Sequence, residues 1–380
     1  MNETPLFVFA GGGTGGHLYP PLAVASAIRE RLPESRIAFH CTHRPIDRRI
    51  LEPTGFEVVP QGVQALRIGK PWTYPSFVAA WITARRDCRR AFQEDRPAVV
   101  VGTGGFASGP PVVEARQAGI PTALLNPDVI PGRANRYLAA RTDAVFVQWD
   151  ESLPRFRGHN RVCVTGCPVR EGFRQADRGA GRAVFGLKPE RKTLLVTGAS
   201  LGARTINEAV VALRDELAMQ EGWQILHITG TQDYEGVVAA YSGHSLVAKV
   251  VAFTDRMPEA LAAADLVVAR AGASSLAEIT ALGRPAVLMP YPHHRDRHQE
   301  ANARVLTERG AARLVRDQAN ARENAASLGR ELLQLMRDAS ALVRMAEAAR
   351  RLGRPDAAHV VAEAVLGLAQ ESGAVSASRG

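Results

Sequence analysis

Short β-type runs, most of them largely apolar, alternate with stretches of helical periodicity along almost the whole chain. In the first half the runs are Leu6–Ala10, Ile37–His40, Glu57–Pro60, Ala98–Gly102, Thr122–Leu125 and Ala144–Val147. In the second half they are Thr193–Thr197, Gln224–Ile228, Val247–Ala252, Leu266–Ala269 and Ala286–Met289. Such runs read as strands buried on both faces. Strands alternating with amphipathic helices predict parallel sheets with helices on both sides. The pattern restarts midway. The run at Thr193 is followed by a small-residue turn, Gly198–Ala203, and a helical pattern from Arg204, just as the first run is followed by glycines and a helical pattern over Leu18–Arg31. The expected fold class is therefore α/β, with two Rossmann-like parallel-sheet domains facing across a cleft. The pattern changes near Gly166-Cys167-Pro168-Val169-Arg170, and Ala319–Leu368 reads as helical with breaks near Ser340 and Pro355.

Ligands of parallel sheets bind beyond the carboxyl ends of the strands, so the turns found there matter most. The first is Gly11-Gly12-Gly13-Thr14-Gly15-Gly16-His17. Glycines leave no Cβ in the way of a ligand, and a helix start adds a positive dipole end. Gly11, Gly13 and Gly16 also satisfy G-x-G-x-x-G. The dinucleotide fingerprint needs an acid at the end of the second strand, and the residues there are Cys41-Thr42-His43. The nicotinamide reading loses its second leg, and a tight strand-to-helix turn with no ligand remains the bland alternative. A second glycine cluster, Gly102-Thr103-Gly104-Gly105-Phe106-Ala107-Ser108-Gly109-Pro110, follows the Ala98–Val101 run and is expected on the same rim. Two such turns suit an extended phosphate.

Two further clusters follow strands in the second half. Arg270-Ala271-Gly272-Ala273-Ser274-Ser275-Leu276-Ala277-Glu278 enters a helix whose open end suits an anion, and Glu278 is placed to hold a diol. The plain alternative is that an acid early in a helix is favourable anyway. Tyr291–Asn302 carries His293, His294 and His298, but no fixed spacing joins them, and polar residues reading a sugar fit better than a metal set. No D-x-D pair stands at a strand end, so no obligatory metal is expected in the site. Within 64–92, Tyr74, Phe77, Val78, Trp81 and Ile82 follow helical spacing, with Arg85, Arg86, Arg89 and Arg90 crowded at one end. That stripe reads equally as a contact with an anionic bilayer or as a helix packed on the sheet with a charged exit.

Composition narrows the field. Hydrophobic residues make up 46% and charged residues 22% of 380, ordinary for a globular protein, and no apolar run is long enough to span a bilayer. The start has no basic n-region, so no cleaved signal peptide is expected. Cys41, Cys88, Cys163 and Cys167 are scattered and read as ordinary thiols. A net charge of +9 favours anionic ligands or surfaces. Nucleic acid is disfavoured as a partner, because aromatic residues are only 6% and do not interleave with the basic ones.

Taken together, Gly12–His17 with Pro20, Gly104–Pro110, Gly166–Arg170, Gly198–Ala203, Arg270–Ala273 with Glu278, and His298-Gln299 with Asn302 resemble, in order, the motifs of the MurG family of bacterial peptidoglycan N-acetylglucosaminyltransferases, glycosyltransferase family 28. The resemblance implies a GT-B fold. Residues 1–163 would form an acceptor- and membrane-associating domain and 164–353 a UDP-sugar domain. A helix at 354–370 would return to the first domain, and 371–380 would be a flexible tail. It implies UDP-N-acetylglucosamine as donor substrate, no required cofactor, and lipid I (undecaprenyl-diphosphate-linked N-acetylmuramoyl-pentapeptide) as acceptor, with lipid II as product. The setting would be the cytoplasmic face of an anionic membrane, with other cell-wall synthesis proteins as partners. The implied chemistry is one inverting displacement by the acceptor C4 hydroxyl, with His17 as base and Asp128 as the weaker candidate. Implied donor-binding residues are Thr14, Gly15, Gly16, Asn135, Arg170, Ser200, Thr254, Ala273, Glu278, His298, Gln299 and Asn302. Implied acceptor-binding residues are Gly13, His17, Gly104, Gly105, Phe106 and Ser108, and the membrane residues are Phe77, Trp81, Arg85 and Arg86. The chain departs from the family at Leu125-Asn126-Pro127-Asp128, where His-Glu-Gln-Asn is usual, and at Phe106, Cys167 and Leu201. Three alternatives stay open: a related transferase moving a different sugar, for example onto a diacylglycerol; a UDP-sugar 2-epimerase, which shares the two-domain architecture; and, motivated by those departures, a non-catalytic UDP-sugar-binding protein.

Overall fold

Parallel pairing runs through both halves of the chain. The computed structural model describes residues 4–66, 69–198, 202–293 and 296–375. Ala199, Ser200, Leu201, His294, Arg295 and the end of the tail from Ser376 lie outside the described residues. Contacts divide the chain into two units, Met1–Arg170 with Asp356–Gly380, and Glu171–Pro355.

Among the described residues the first unit holds strands β1 (Leu6–Ala10), β2 (Arg36–Cys41), β3 (Glu57–Pro60), β4 (Val99–Gly102), β5 (Thr122–Asn126), β6 (Ala144–Val147) and β7 (Val162–Val164), in the order β3-β2-β1-β4-β5-β6-β7. The second holds β8 (Lys192–Thr197), β9 (Trp223–Ile228), β10 (Ala248–Val251), β11 (Leu266–Ala269), β12 (Ala286–Leu288) and β13 (Ala312–Leu314), in the order β10-β9-β8-β11-β12-β13. Each order reverses direction once, at β1/β4 and at β8/β11. That is the topological switch point, where an open parallel sheet leaves a crevice at its carboxyl rim. The register pairs Ala10 with Gly102, so the two glycine turns of the first unit leave adjacent strands at the same height.

The central strands form because they are covered on both faces. Every residue of β1, β4 and β6 is buried. Edge strands β7 and β13 have no counterpart in the apolar pattern: each is three residues long and at least partly exposed, too short to show a period. The C-terminal helical region breaks into Ala321–Arg337, Ala339–Leu352 and Ala357–Glu371. The last of these belongs to the first unit. Its Val361, Ala362, Val365 and Leu368 join Leu22, Ala25 and Ile28 of the first helix, Tyr19–Arg31, in one core.

The helix Tyr74–Glu94 divides the two readings of its stripe between its ends. Ala84, Cys88 and Phe92 are buried against the sheet. Trp81 turns inward, so close to Gly109 that a Cβ there would sit 2.5 Å from the indole. Arg85 and Arg89 both grip the buried carboxylate of Glu114, Arg89 at 3.0 Å, clamping this helix to its neighbour Gly109–Gln117. Packing against Gly109 and a buried counter-charge thus engage the half-buried Trp81 and Arg85. What faces outward instead is Trp72 (72% exposed), Tyr74, Val78 (50%), Ile82 (45%) and Arg86.

Candidate functional site

The first glycine turn is built around a carboxylate that the strand-end search overlooks. Asp47, in the short helix Pro45–Leu51, is fully buried. It accepts from the Gly13 N–H (2.7 and 3.0 Å), the Thr42 N–H (2.9 Å) and the Thr42 hydroxyl (2.7 Å). A Cβ on Gly12, whose φ is +147°, would lie 2.3 Å from Asp47 Oδ2, so only glycine fits there. The Gly13 amide is thus engaged by the protein, and the Gly13 carbonyl accepts from Arg44 Nη1 at 3.1 Å. The Arg44 guanidinium also lies 5.7 Å over the ring of Phe106, tying the two glycine turns together. Asp47 comes six residues after the end of β2, and the helix carries it back to the loop. Proximity of that kind is a tertiary fact, although Asp after Pro at a helix start is a readable cue.

His17 sits where the two turns meet. Its Nδ1 is 3.2 Å from the Gly12 carbonyl and 3.2 Å from the Thr14 hydroxyl. A carbonyl can only accept, so Nδ1 carries the proton in the neutral ring, and the lone pair lies on Nε2. Gly104 (φ +97°) closes over that side: a Cβ there would be 3.2 Å from His17 Nε2 and 3.3 Å from Asn135 Oδ1. Thr103 supports the arrangement from beneath, donating to the His17 carbonyl at 2.9 Å. Asn135 is buried; its Nδ2 donates to Leu125 O (3.1 Å) and Asn126 Oδ1 (3.0 Å). Ser108 is fully buried with its hydroxyl on Gly105 O (2.9 Å), so it shapes the second turn from inside. Asp128 is half-buried after β5, and its carbonyl holds Asn126 Nδ2 at 2.7 Å. The Arg170 guanidinium lies 4.6 Å over the ring of Tyr19 at the start of the first helix.

In the second unit one buried guanidinium braces the rim. Arg270, at the end of β11, donates through Nη1 to Met289 O (2.9 Å) and Asp317 Oδ2 (2.8 Å) and through Nη2 to the Thr205 hydroxyl (2.7 Å). Asp317 is also held by Thr205, Asn324 Nδ2 and the Ala319 N–H. Burial alone would raise the Asp317 pKa; the donors from Thr205, Arg270, Ala319 and Asn324 outweigh it and hold the carboxyl below its usual range. Arg270 thereby joins the ends of β11 and β12, the helix Arg204–Ala212 and the segment after β13. It also faces the Tyr291 ring at 5.6 Å.

The Tyr291 N–H donates to Gln299 Oε1 (2.9 Å), which leaves the NH2 end of that amide as the group on offer. Asn302 is fully buried and holds Ala271 O at 3.2 Å, so it ties the helix His298–Glu308 to the turn after β11. His298 Nδ1 pairs with Asp296 at 2.7 Å. Ala273 opens the helix Ala273–Ala281, and the half-buried Glu278 is its sixth residue, beyond the first turn. The helix-start explanation for an acid there therefore weakens. The Thr254 hydroxyl, after β10, accepts from the Arg256 N–H at 3.0 Å.

Two histidines are buried outside these rims. Burial pushes His227 down to about 3 and His40 down to about 4. His227 is completed by Asn207 and Tyr241, each at 3.0 Å. Both stay neutral in the folded chain while the unfolded chain gains protons below the ordinary value of 6.5. Their contribution is therefore complete above pH 6.5 and drains away as pH falls toward the folded values. Lowering pH from 7 to 5 should cost on the order of 2 kcal/mol per histidine, read as a falling urea midpoint. The thiols of Cys41 and Cys88 are pushed up to about 12, first of all by burial, which makes them unreactive.

Two Rossmann-like α/β units with turns gathered at their switch points are the architecture of GT-B glycosyltransferases. Residues 7–147 match the glycosyltransferase family 28 N-terminal domain and 193–361 the family 28 C-terminal domain. The chain is 37% identical over 361 residues, 92% of its length and 95% of the relative's, to a UDP-N-acetylglucosamine--N-acetylmuramyl-(pentapeptide) pyrophosphoryl-undecaprenol N-acetylglucosamine transferase of Desulforamulus reducens. It belongs to glycosyltransferase family 28. Among solved structures, Acinetobacter baumannii MurG superposes with a TM-score of 0.73 at 24% identity, covering 96% of this chain and 99% of that one. A putative UDP-N-acetylglucosamine 2-epimerase from Listeria monocytogenes follows the same fold, with a TM-score of 0.71 at 15% identity and 98% of each chain covered.

Proposed function

We propose that this chain transfers N-acetylglucosamine from UDP-N-acetylglucosamine to lipid I, forming lipid II for peptidoglycan. The observation that carries the reading is the near end-to-end likeness to transferases named for that reaction, 95% of whose length it spans. The fold alone would not suffice, because epimerases share it.

The chemistry is a single inverting displacement. The acceptor C4 hydroxyl oxygen bonds to C1 of the donor sugar, its proton passes to His17 Nε2, and the C1–oxygen bond to UDP breaks with its electron pair leaving on the diphosphate. The Gly12 carbonyl on Nδ1 orients the imidazole for that task. Asp128 is the weaker base candidate. Arg170, Ser200 and the helix opening at Ala273 stabilise the departing diphosphate, where losing one preorganised donor costs about 2.7–4 kcal/mol of barrier. Glu278 binds the ribose, and Gln299 and His298 read the sugar, with Asn302 and Thr254 setting the surrounding backbone. Thr14, Gly15, Gly16 and Asn135 are further donor-binding residues in this reading. Gly13, Gly104, Gly105 and Phe106 frame the acceptor, with Ser108 holding the frame from inside.

The first unit also carries the membrane contact: Trp72, Tyr74, Val78 and Ile82 lie exposed beside Lys70 and Arg86. Among the described residues no helix is long and apolar enough to cross a membrane, and the association in this reading is peripheral. Replacing Val78 and Ile82 together by glutamate should weaken binding to anionic vesicles about tenfold or more, through lost apolar burial and added repulsion, with turnover of a water-soluble acceptor unchanged.

The deciding experiment supplies purified protein with UDP-N-acetylglucosamine and a short-chain lipid I analogue and follows UDP release. Release that needs both substrates supports the reading. A folded sample that binds UDP-sugar without release points to a binding protein, and epimerised sugar without acceptor points to an epimerase.

A further inference from the structure

Four guanidiniums gather around one carboxylate at the amino-terminal edge of the second sheet, the end opposite the Arg270 turn. Asp265 stands immediately before β11 and Arg284 two residues before β12, and the register of Val267 with Ala286 brings them side by side. Asp265 and Arg270 are five residues apart along that strand, roughly 16 Å. The carboxylate is already spent. Its Oδ1 accepts from Arg178, and its Oδ2 accepts from Arg182 Nη2 at 3.1 Å and the Thr193 N–H at 2.8 Å. Arg178 and Arg182 lie one turn apart on the helix Arg178–Val184. Arg284 is only 8% exposed, and its Nε is buried without a hydrogen-bond partner, as is Arg182 Nε. Arg350 enters from the helix Ala339–Leu352. A Cβ on Gly283 would lie 2.2 Å from Arg350 Cγ and 2.9 Å from its Nε, so its stem crosses Gly283 beside Arg284. Among the described residues neither Arg284 nor Arg350 has an ion-pair partner. Burial first, and with it the charges of Arg178, Arg350 and Arg182, push the Arg284 guanidinium down from 12.5 to about 10, with Asp265 opposing. It remains charged at neutral pH.

We infer that this cluster is a binding site for a phosphate group, met by the exposed guanidiniums of Arg178 and Arg350 over the charges of Arg284 and Arg182. Nothing in the transferase reading uses it. Four guanidiniums against one carboxylate leave an excess of three positive charges. A buried charge without a partner is costly, and like-signed neighbours add to the cost. An apolar residue at 284 would serve a ligand-free fold better. A phosphate dianion offsets two of the three charges, where a carboxylate offsets one, and its oxygens match the guanidinium fork. Arg178 is 44% exposed and commits one nitrogen to Asp265, so it keeps further N–H donors for an outside anion. Free phosphate ions and phospholipid headgroups share this chemistry.

The test compares the full chain with two double variants. Arg178→Gln with Arg350→Met strips the site of its exposed donors. Arg322→Gln with Arg330→Met removes two exposed arginines elsewhere in the same unit and controls for net charge. In one arm melting is followed with millimolar inorganic phosphate, at ionic strength matched by chloride and with UDP at saturation. Phosphate should raise the melting temperature of wild type and control by about 3 °C or more, and of the site variant by less than about 1 °C. General salting effects act on all three alike and cancel. In the other arm binding to phosphatidylcholine vesicles carrying phosphatidylglycerol is measured. Binding at least about threefold weaker in the site variant than in the control assigns the site to a lipid headgroup; a melting response alone assigns it to the free ion. Arg284→Met should melt no lower than wild type without phosphate and should lose the response. The inference is overturned if site variant and control respond alike in both arms. It is overturned too if Arg284→Met melts well below wild type, since the fold itself then needs that charge.

Discussion

Replacing Arg270 by methionine should destabilise the second unit by about 3–5 kcal/mol, the cost of stranding a buried carboxylate after its partner is removed. The Asp317 side chain is fully buried, and among the described residues its donors besides Arg270 are a hydroxyl, an amide and a backbone N–H. For a unit of this size that loss corresponds to a melting shift of roughly 6–20 °C. Removing both charges, as Arg270→Met with Asp317→Leu, should be milder than the single change, because no charge is then left in the interior. A double variant as damaged as Arg270→Met alone would show that the pair's worth lies in bracing the strand ends.

The pH dependence has a definite sign. The folded Asp317 carboxyl is held below its unfolded value, so its contribution is present above that value and is lost as pH falls through the folded one. Acid unfolding below about pH 4 should therefore become shallower in the double variant, measured by circular dichroism.

Exchanging His17 for alanine should lower kcat about 10²–10⁴-fold, the usual worth of a positioned general base. The fold should survive. The imidazole is at the edge of the turn, and Thr103 holds the backbone of residue 17 through its carbonyl, which alanine retains. UDP-sugar affinity, measured without acceptor, should change little. If turnover falls less than about threefold, the proton goes elsewhere, and Asp128→Asn becomes the next variant to measure.

Parts of this arrangement could be read directly from the residues, and the boundary between those parts and the rest is physical. Strands β1, β4, β8 and β11 are short, largely apolar runs that lead into glycine-containing turns, a local signal that survives without tertiary information. His17 and the two glycine turns were legible because each lies within a few residues of its strand end. Asp47, Arg44 and Asp317 were not, since each acts on a turn far away in sequence. Asn126 was visible only as a departure from a motif; its partnership with Asn135 spans a loop and a helix start. The stripe on the helix Tyr74–Glu94 divides for a related reason. Helical spacing places Trp81 and Val78 in one stripe, but Gly109 leaves a hollow that takes Trp81 and Glu114 draws in Arg85.

The residues alone determined that the chain folds as two parallel α/β units with glycine-containing turns at named strand ends, because burial on both faces and backbone freedom are written in local composition. Tertiary structure decided which groups are spent within the protein. Gly13 gives its amide to Asp47, Ser108 its hydroxyl to Gly105, and Asn302 its amide to Ala271. A hydrogen bond is settled by the position of its partner, and these partners are set by strand order and packing.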